Sequence, residues 1–498
     1  MHEIVTLQLG QVSNYVATHF WNAQESYFTY SSKEESPINH DVHWRPGVGS
    51  DGADTYLPRT VVYDFKANFG TLRKLNALYD PEPDIGHDSA QAFSLWDGKP
   101  VLQKQDPLRL SAYQQSLDTG SAPPQLNPST VRYWSDYSRV YYHPKSLIQL
   151  HDFELNSATQ PFDRYGTGSE LFETLDRDHD LLDRDFRSFT EECDMMQGIQ
   201  VFTSLEDAWG GFSARYLEAV RDEYPKSCIW LWGVEAPVQG LPRQTRHLRL
   251  VNMAQSIAEI TSTASLLSPM SLLEGAMPSH TAIDTSAPWH VSALYATAIE
   301  SMTTPSRLVL GDDGTGASLR DMTEKINTDG NRPLAALRMR VGPGACKSES
   351  DNEAVQFFRL RHIYDRRWQA YTGRPLGSVI SSRGKGFAGI DETNSDTQDN
   401  RLLGDTATTT RYGSSLNFPL LDSFPRIYKF DRGVDGLDVQ TTMSTDTSIS
   451  HGLNALKNQI VRSINSTERE NLANRLTDIA DAYKDDWYSS SDEGEDDM

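Results

Sequence analysis

The chain has 498 residues, 38% hydrophobic and 10% aromatic, enough for two to four domains with sizeable cores at about 100–200 residues each. Its 69 acidic against 46 basic residues give a net charge of −23, which repels phosphate backbones and argues against nucleic-acid binding. That balance leaves open a small nucleotide held by backbone amides.

Cys193, Cys228 and Cys346 form neither a CxxC pair nor a disulfide framework, which points to a reducing compartment. No apolar run approaches the roughly 18 residues of a membrane span. An early Glu3, with no arginine before Arg45, does not match a secretory signal or an Arg-rich transit peptide. Any organelle association is therefore expected to be peripheral.

In chain order, residues 4–9 read as a short strand. Val12, Tyr15, Val16, His19 and Phe20 then recur at helical spacing. Residues 31–57, polar and rich in Gly, Ser and Asp, read as a surface loop. "TVVYDF" (60–65) is a second strand, and residues 118–130 are a second long loop. "WSDYSRVYYHPKSLIQL" is aromatic and amphipathic, with a break at Pro144. A strand at 198–205, a helix at 212–225 and a fully apolar strand at 227–234 follow. That order is the βαβ signature of a parallel sheet with crossover helices. Two C-terminal helices are marked by Leu453, Leu456, Ile460 and Ile464, then by Leu472, Leu476 and Ile479. "SSDEGEDDM" ends the chain as an acidic tail, solvated by composition and suited to acidophilic kinases.

Three segments, in order, resemble tubulin: "MHEIVTLQLGQVSNYVATHFW", "LPRTVVYDF" and "CDMMQGIQVFTSLEDAWGGFSARYLEAVRDEYP". With "NHDVHWRPG", "YWSDYSRVYYHPKSLIQL" and "DSFPRIY" added, the chain is identified as resembling the Misato family of tubulin-related proteins, of fungal type. The resemblance implies a tubulin/FtsZ-like α/β fold with a parallel-sheet, nucleotide-binding type of first domain. The expected division is that domain at 1–245, a second α/β domain at 246–450, C-terminal helices at 451–485 and the acidic tail at 486–498. It also implies a role in mitochondrial partitioning and mitochondrial DNA inheritance, with links to spindle and tubulin assembly. The expected location is the mitochondrion, peripherally, and the cytoplasm. Expected partners are proteins, tubulin or chaperonin among them.

Tubulins hold GTP with a G-G-G-T-G-S-G loop, whose bare amides and helix N-terminus receive the phosphates. At the matching place this chain has Glu206, Asp207, Ala208, Trp209, Gly210, Gly211, Phe212 and Ser213. A like-charge pair at about 4 Å, at an effective dielectric near 20, costs roughly 4 kcal/mol, or nearly three decades of affinity at about 1.4 kcal/mol per decade. A Mg²⁺ bridging Glu206 or Asp207 to a phosphate would reverse that sign. Gly10, Gln11 and Asn14 keep the pattern of the first turn, and Asp64 matches the tubulin acid near metal and phosphates. Two residues on, tubulin's second acid is Lys66, read as a surface lysine. Gly10, Gln11, Asn14, Asp64, Gly210 and Gly211 thus outline a vestigial nucleotide site. The G-x-x-N-x-D hydrolysis loop has no match after residue 240. "GVDGLD" (433–438) carries Gly436 where Asn is needed. The reading is a non-catalytic protein with no required cofactor. The alternatives are a GTP- or GDP-binding assembly factor using Gly10, Gln11 and Asp64, and an assistant in tubulin folding.

Three further signals in the chain are weaker. "GKGFAG" (384–389) fits GxGxxG but opens no helix, so a loop is expected. His40 and His43, without further ligands, read as exposed or hydrogen-bonded histidines rather than a metal site. Cys193 has no nearby His and reads as a small buried residue.

Overall fold

A computed structural model describes residues 2–29, 36–49, 52–73, 78, 108–154, 157, 159–237, 240–272, 277–309, 316–342, 354–358, 360, 373–384, 408–430, 436–461 and 466–484. Cys346, residues 385–389 of "GKGFAG", residues 433–435 of "GVDGLD" and the tail from 486 lie outside the described residues.

The first half alternates strand and helix: β1 (Glu3–Leu9), α1 (Gln11–Glu25), β2 (Trp44–Val48), β3 (Asp54–Pro58), β4 (Thr60–Phe65), α2 (Ala112–Thr119) and β5 (Leu147–Leu150). Next come α3 (Tyr165–His179), α4 (Arg187–Thr190), β6 (Met196–Ser204), α5 (Ala208–Glu223), β7 (Cys228–Val234), α6 (Arg243–Ile260) and β8 (Leu266–Met270). Six strands form one parallel sheet in the order β5-β4-β1-β6-β7-β8. Every residue of β1, β4 and β7 is buried, as expected for parallel strands covered by helices on both faces. Successive strands step outward from β1 to β4 and β5, and the chain then returns to the other side of β1 with β6. The strand order therefore reverses between β1 and β6, the place where open α/β sheets form a crevice at their carboxyl ends.

The second half contributes α7 (Pro288–Thr303), α8 (Leu319–Ile326), β9 (Ala336–Val341), β10 (Val355–Gln356), β11 (Pro375–Arg383), β12 (Thr408–Ser414), β13 (Phe418–Pro419), β14 (Gly436–Leu437) and β15 (Val439–Asp446). Its five-stranded mixed sheet runs β10-β9-β15-β11-β12. The chain ends in α9 (Ser448–Val461) and α10 (Ser466–Asp481), an antiparallel pair resting on α6. Buried on every side from Val291 to Thr303, α7 packs on α1 and on β11 and β15, and so serves both sheets. No described helix is long and apolar enough to cross a membrane.

Three expectations change. The first sheet continues past residue 245, because α6 is a crossover helix and β8 is the sixth strand; no break in composition or charge marks that boundary. Within 31–57, the described part forms the β2–β3 hairpin instead of a surface loop. Its alternating burial seats Trp44 against Trp21 at 5.9 Å and Phe28 at 5.1 Å between ring centroids. His43 is neither exposed nor hydrogen-bonded: it is 1% exposed, edge-on to Phe20 and Trp21, and neither ring nitrogen has a partner among the described residues. Burial first, then the Arg307 and Arg59 charges, hold its pKa well below the usual imidazole range.

Candidate functional site at the carboxyl edge of the parallel sheet

The crevice between β1 and β6 holds a pocket of about 240 Å³, just under the roughly 300–1,000 Å³ usual for small-molecule sites. Four loops converge on it. The β1–α1 turn brings Gly10 and Gln11, the end of β4 brings Phe65 and Asn68, Glu154, Ser157, Pro161, Phe162 and Asp163 form an outer wall, and the β6–α5 turn brings Asp207 and Trp209.

The β1–α1 turn is built around Gly10. Its φ of +86° and ψ of 166° lie in a region open essentially to glycine alone. A Cβ there would stand 2.5 Å from Nε1 of Trp209, whose indole lies over the turn. The Gly10 N–H donates to Tyr63 O at 3.0 Å, so it is spent within the fold. Among the described residues no side chain caps α1 and no acid sits in its first turn, which leaves its leading amides and the positive end of its dipole without a side-chain partner there. Replacing Gly10 with alanine is expected to cost about 1–3 kcal/mol from backbone strain, plus the overlap with Trp209. The urea midpoint measures this, and an unchanged midpoint would mean that the turn relaxes freely.

The β6–α5 turn differs from a phosphate loop in kind. Asp207 is the N-cap of α5, and its carboxylate accepts the Trp209 N–H at 2.9 Å. The helix therefore begins at Ala208, four residues before the expected start, because an aspartate at this position caps readily. Its own carboxylate stands where an anion would be received. Trp209 is 5% exposed and packs on Phe65, Phe162 and Phe212 at centroid distances of 5.4, 5.3 and 5.5 Å. Beside it, Glu206 accepts from Ala236 N at 2.9 Å and pairs with Arg249 at 3.0 Å. Burial raises the Glu206 pKa, against the pull of Arg249. Burial likewise pushes Asp207 up to about 6, against the pull of the nearby Ser204 hydroxyl and the hydrogen bond from Trp209.

Gly10 and Gln11 line the pocket, whereas Gly210 and Gly211 lie inside α5 and face other helices. A Cβ on Gly210 would meet Ser256 Oγ of α6 at 2.1 Å, and one on Gly211 would meet Tyr165 O of α3 at 2.0 Å. These two glycines let helix backbones approach.

Asn14 and Asp64 are brought together beneath the pocket. Asp64 is fully buried and takes four donors: Asn14 Nδ2 at 2.8 Å, Asn68 Nδ2 at 2.6 Å, its neighbour Phe65 N at 2.8 Å and Trp134 Nε1 at 3.2 Å. Burial pushes its pKa up to about 6, against all four bonds. Its oxygens are thus engaged by the fold. Lys66 is exposed, and Cys193 is half-buried, with its thiol pushed up to about 11 by burial. The sequence reading missed Asn68, Phe162 and Asp163. Only Asn68 left a signal, four residues after Asp64.

The α5 half of the site does not fit a triphosphate, since a carboxylate caps the helix and an indole covers the first turn. Among the described residues, no group of three or more His, Cys, Asp or Glu side chains is placed to hold a metal ion.

Comparison with known proteins agrees with this frame. Residues 123–308 match the tubulin domain family, and residues 2–119 match the Misato Segment II tubulin-like domain. The chain is 49% identical to protein DML1 of Gibberella zeae over 502 aligned residues, covering 100% of both chains. It is 42% identical to protein dml-1 of Neurospora crassa, again covering 100% of both. Protein dml1 of Schizosaccharomyces pombe is 31% identical over 74% of this chain and 78% of its own length. The chain belongs to the Misato/DML1 family of tubulin-like proteins.

Proposed function

We propose that this protein serves mitochondrial partitioning and mitochondrial DNA inheritance through protein–protein contacts, without hydrolysing GTP. It acts at the mitochondrial surface and in the cytoplasm, with tubulin or chaperonin as candidate partners. One observation carries the non-catalytic part of the reading: Asp207 caps α5 where a phosphate would be received. The mitochondrial part rests on the resemblance set out above.

Purified protein with Mg-GTP is expected to release phosphate no faster than a blank. Hydrolysis at tubulin-like rates, abolished by Gln11→Ala, would refute the non-catalytic reading. Depletion in cells is expected to yield progeny short of mitochondria or of their DNA, scored by microscopy. Normal partitioning after depletion refutes the organelle role.

A second reading, a GTP- or GDP-binding assembly factor, is favoured by the uncapped N-terminus of α1 beside Gln11. Saturable micromolar binding in a calorimetric titration with Mg-GTP would select it.

A further inference from the structure

We propose that the pocket between β1 and β6 receives an organic cation: a guanidinium or ammonium group on a flexible stem. The inference rests on the reading that α5 does not take a phosphate, and it gives the same pocket a ligand of opposite charge.

The lining carries the argument. Asp207, Asp163 and Glu154 all face this space of about 240 Å³. Glu206 is not counted, because Arg249 already neutralises it. The open end of α1 supplies only about half a positive charge, and Arg249, the one cation that acts on Asp207 among the described residues, is already paired with Glu206, so positive charge falls short of the three acids. An unmet demand for N–H donors is visible at two atoms. Asn68 is 1% exposed, and its Nδ2 is committed to Asp64 at 2.6 Å, which fixes the orientation of the amide. Its Oδ1 then accepts nothing from the described residues, and the same is true of the buried Oδ1 of Asp163. Buried acceptors of this kind ordinarily have a partner.

Two features favour an organic cation over a metal ion. The acids of the site are not grouped as metal ligands. Phe65, Phe162 and Trp209, mutually packed at 5.0–5.4 Å, also make one wall of the pocket. Ring faces attract guanidinium and ammonium groups, and an aromatic wall can bury the stem that bears them.

The test is isothermal titration of the full-length protein at pH 6. The probes are agmatine, spermidine and the blocked tripeptides Gly-Arg-Gly and Gly-Lys-Gly. Saturable binding is expected for at least one probe. It should weaken about tenfold or more, 1.4 kcal/mol or above, in Asp163→Asn and in Asp207→Asn, which keeps the cap. Glu154→Gln, at the exposed mouth, is a milder third variant and should weaken binding less. Repeating the titration in two buffers of different ionisation heat should reveal proton release, since a bound cation draws down the raised carboxyl of Asp207. Binding confined to the free amines assigns a small-molecule source, and binding confined to the tripeptides assigns the side chain of a partner protein. No saturation by any probe at millimolar concentration overturns the inference, as does affinity unchanged in both Asp→Asn variants. Mg-GTP run in the same format separates the two failures: its binding would sink the phosphate-exclusion reading, whereas silence from every cation sinks only this one.

Discussion

Glu300→Ala is expected to leave the chain unable to hold its native fold at ordinary temperature. Glu300 lies on α7 and is 0% exposed. One of its oxygens accepts from Arg307 Nη2 at 2.6 Å, Tyr27 OH at 2.9 Å and Gln24 Nε2 at 3.3 Å, and the other pairs with Arg383 of β11. Both guanidiniums are buried too. Burial alone would raise the Glu300 pKa, but the two arginines outweigh it and hold the carboxyl below its ordinary value. Glu300 is the only carboxylate among the described residues that pairs with either guanidinium, and removing it strands two charges in a low-dielectric interior. Breaking one buried pair costs about 3–5 kcal/mol, against a total stability of roughly 5–15 kcal/mol, so the loss here belongs at or above the top of that range. Chemical denaturation and soluble yield measure it. Glu300→Gln combined with Arg383→Met should lose less than Glu300→Ala, because fewer unpaired charges remain. A Glu300→Ala protein within about 1 kcal/mol of wild type, a surface-like effect, would show that the network does not hold the layers together.

That network also explains how the site is kept in shape. α1 presents Gln11 to the pocket at one end and Gln24 to Glu300 at the other. The helix is thereby tied through α7 to the second sheet. A ligand contacting the first turn of α1 touches an element fixed by both halves of the molecule.

The parallel core was legible in the chain because its strands are buried on both faces and read as short apolar runs. β1, β4, β6 and β7 fall where those runs are. β5 and the β2–β3 hairpin were not, since four residues of β5 follow a proline break and the hairpin hides behind Gly, Ser and Asp at its tip. The loss of the phosphate loop could be read directly from Glu206–Trp209. Its consequence could not: whether two acids repel a ligand or cap a helix depends on the backbone, and Asp207 caps. Gly210 and Gly211 look like survivors of a phosphate loop, yet they serve helix packing. The Glu300 cluster joins residues 24, 27, 300, 307 and 383, which no local period connects.

Asp64→Asn should destabilise the fold at every pH, and most in acid. The carboxylate accepts two donors at each oxygen. An asparagine offers one oxygen and one NH₂, so two donors are left facing a donor. Hydrogen bonds to charged groups are worth about 1.5–3 kcal/mol each, which sets a penalty of several kcal/mol. The pH dependence follows from linkage. Folding raises the Asp64 pKa from 3.8 to about 6, so between those values the folded chain binds the proton more tightly than the unfolded chain. Wild-type stability from this group is full below the unfolded value and falls as pH rises through the folded one. At 1.36 kcal/mol per unit, the decline between pH 4.5 and 8 is about 2 kcal/mol. Asparagine does not titrate, so the gap between wild type and variant should narrow by that amount over the interval. Burial holds His19 and His43 neutral in the fold across this range, so they add a pH dependence by gaining charge only on unfolding, and that contribution cancels in the difference. Parallel urea melts of the two proteins at several pH values measure the gap. A gap that stays constant, or widens toward pH 8, would mean that Asp64 is ionised in the fold as readily as in water, with its four donors outweighing its burial.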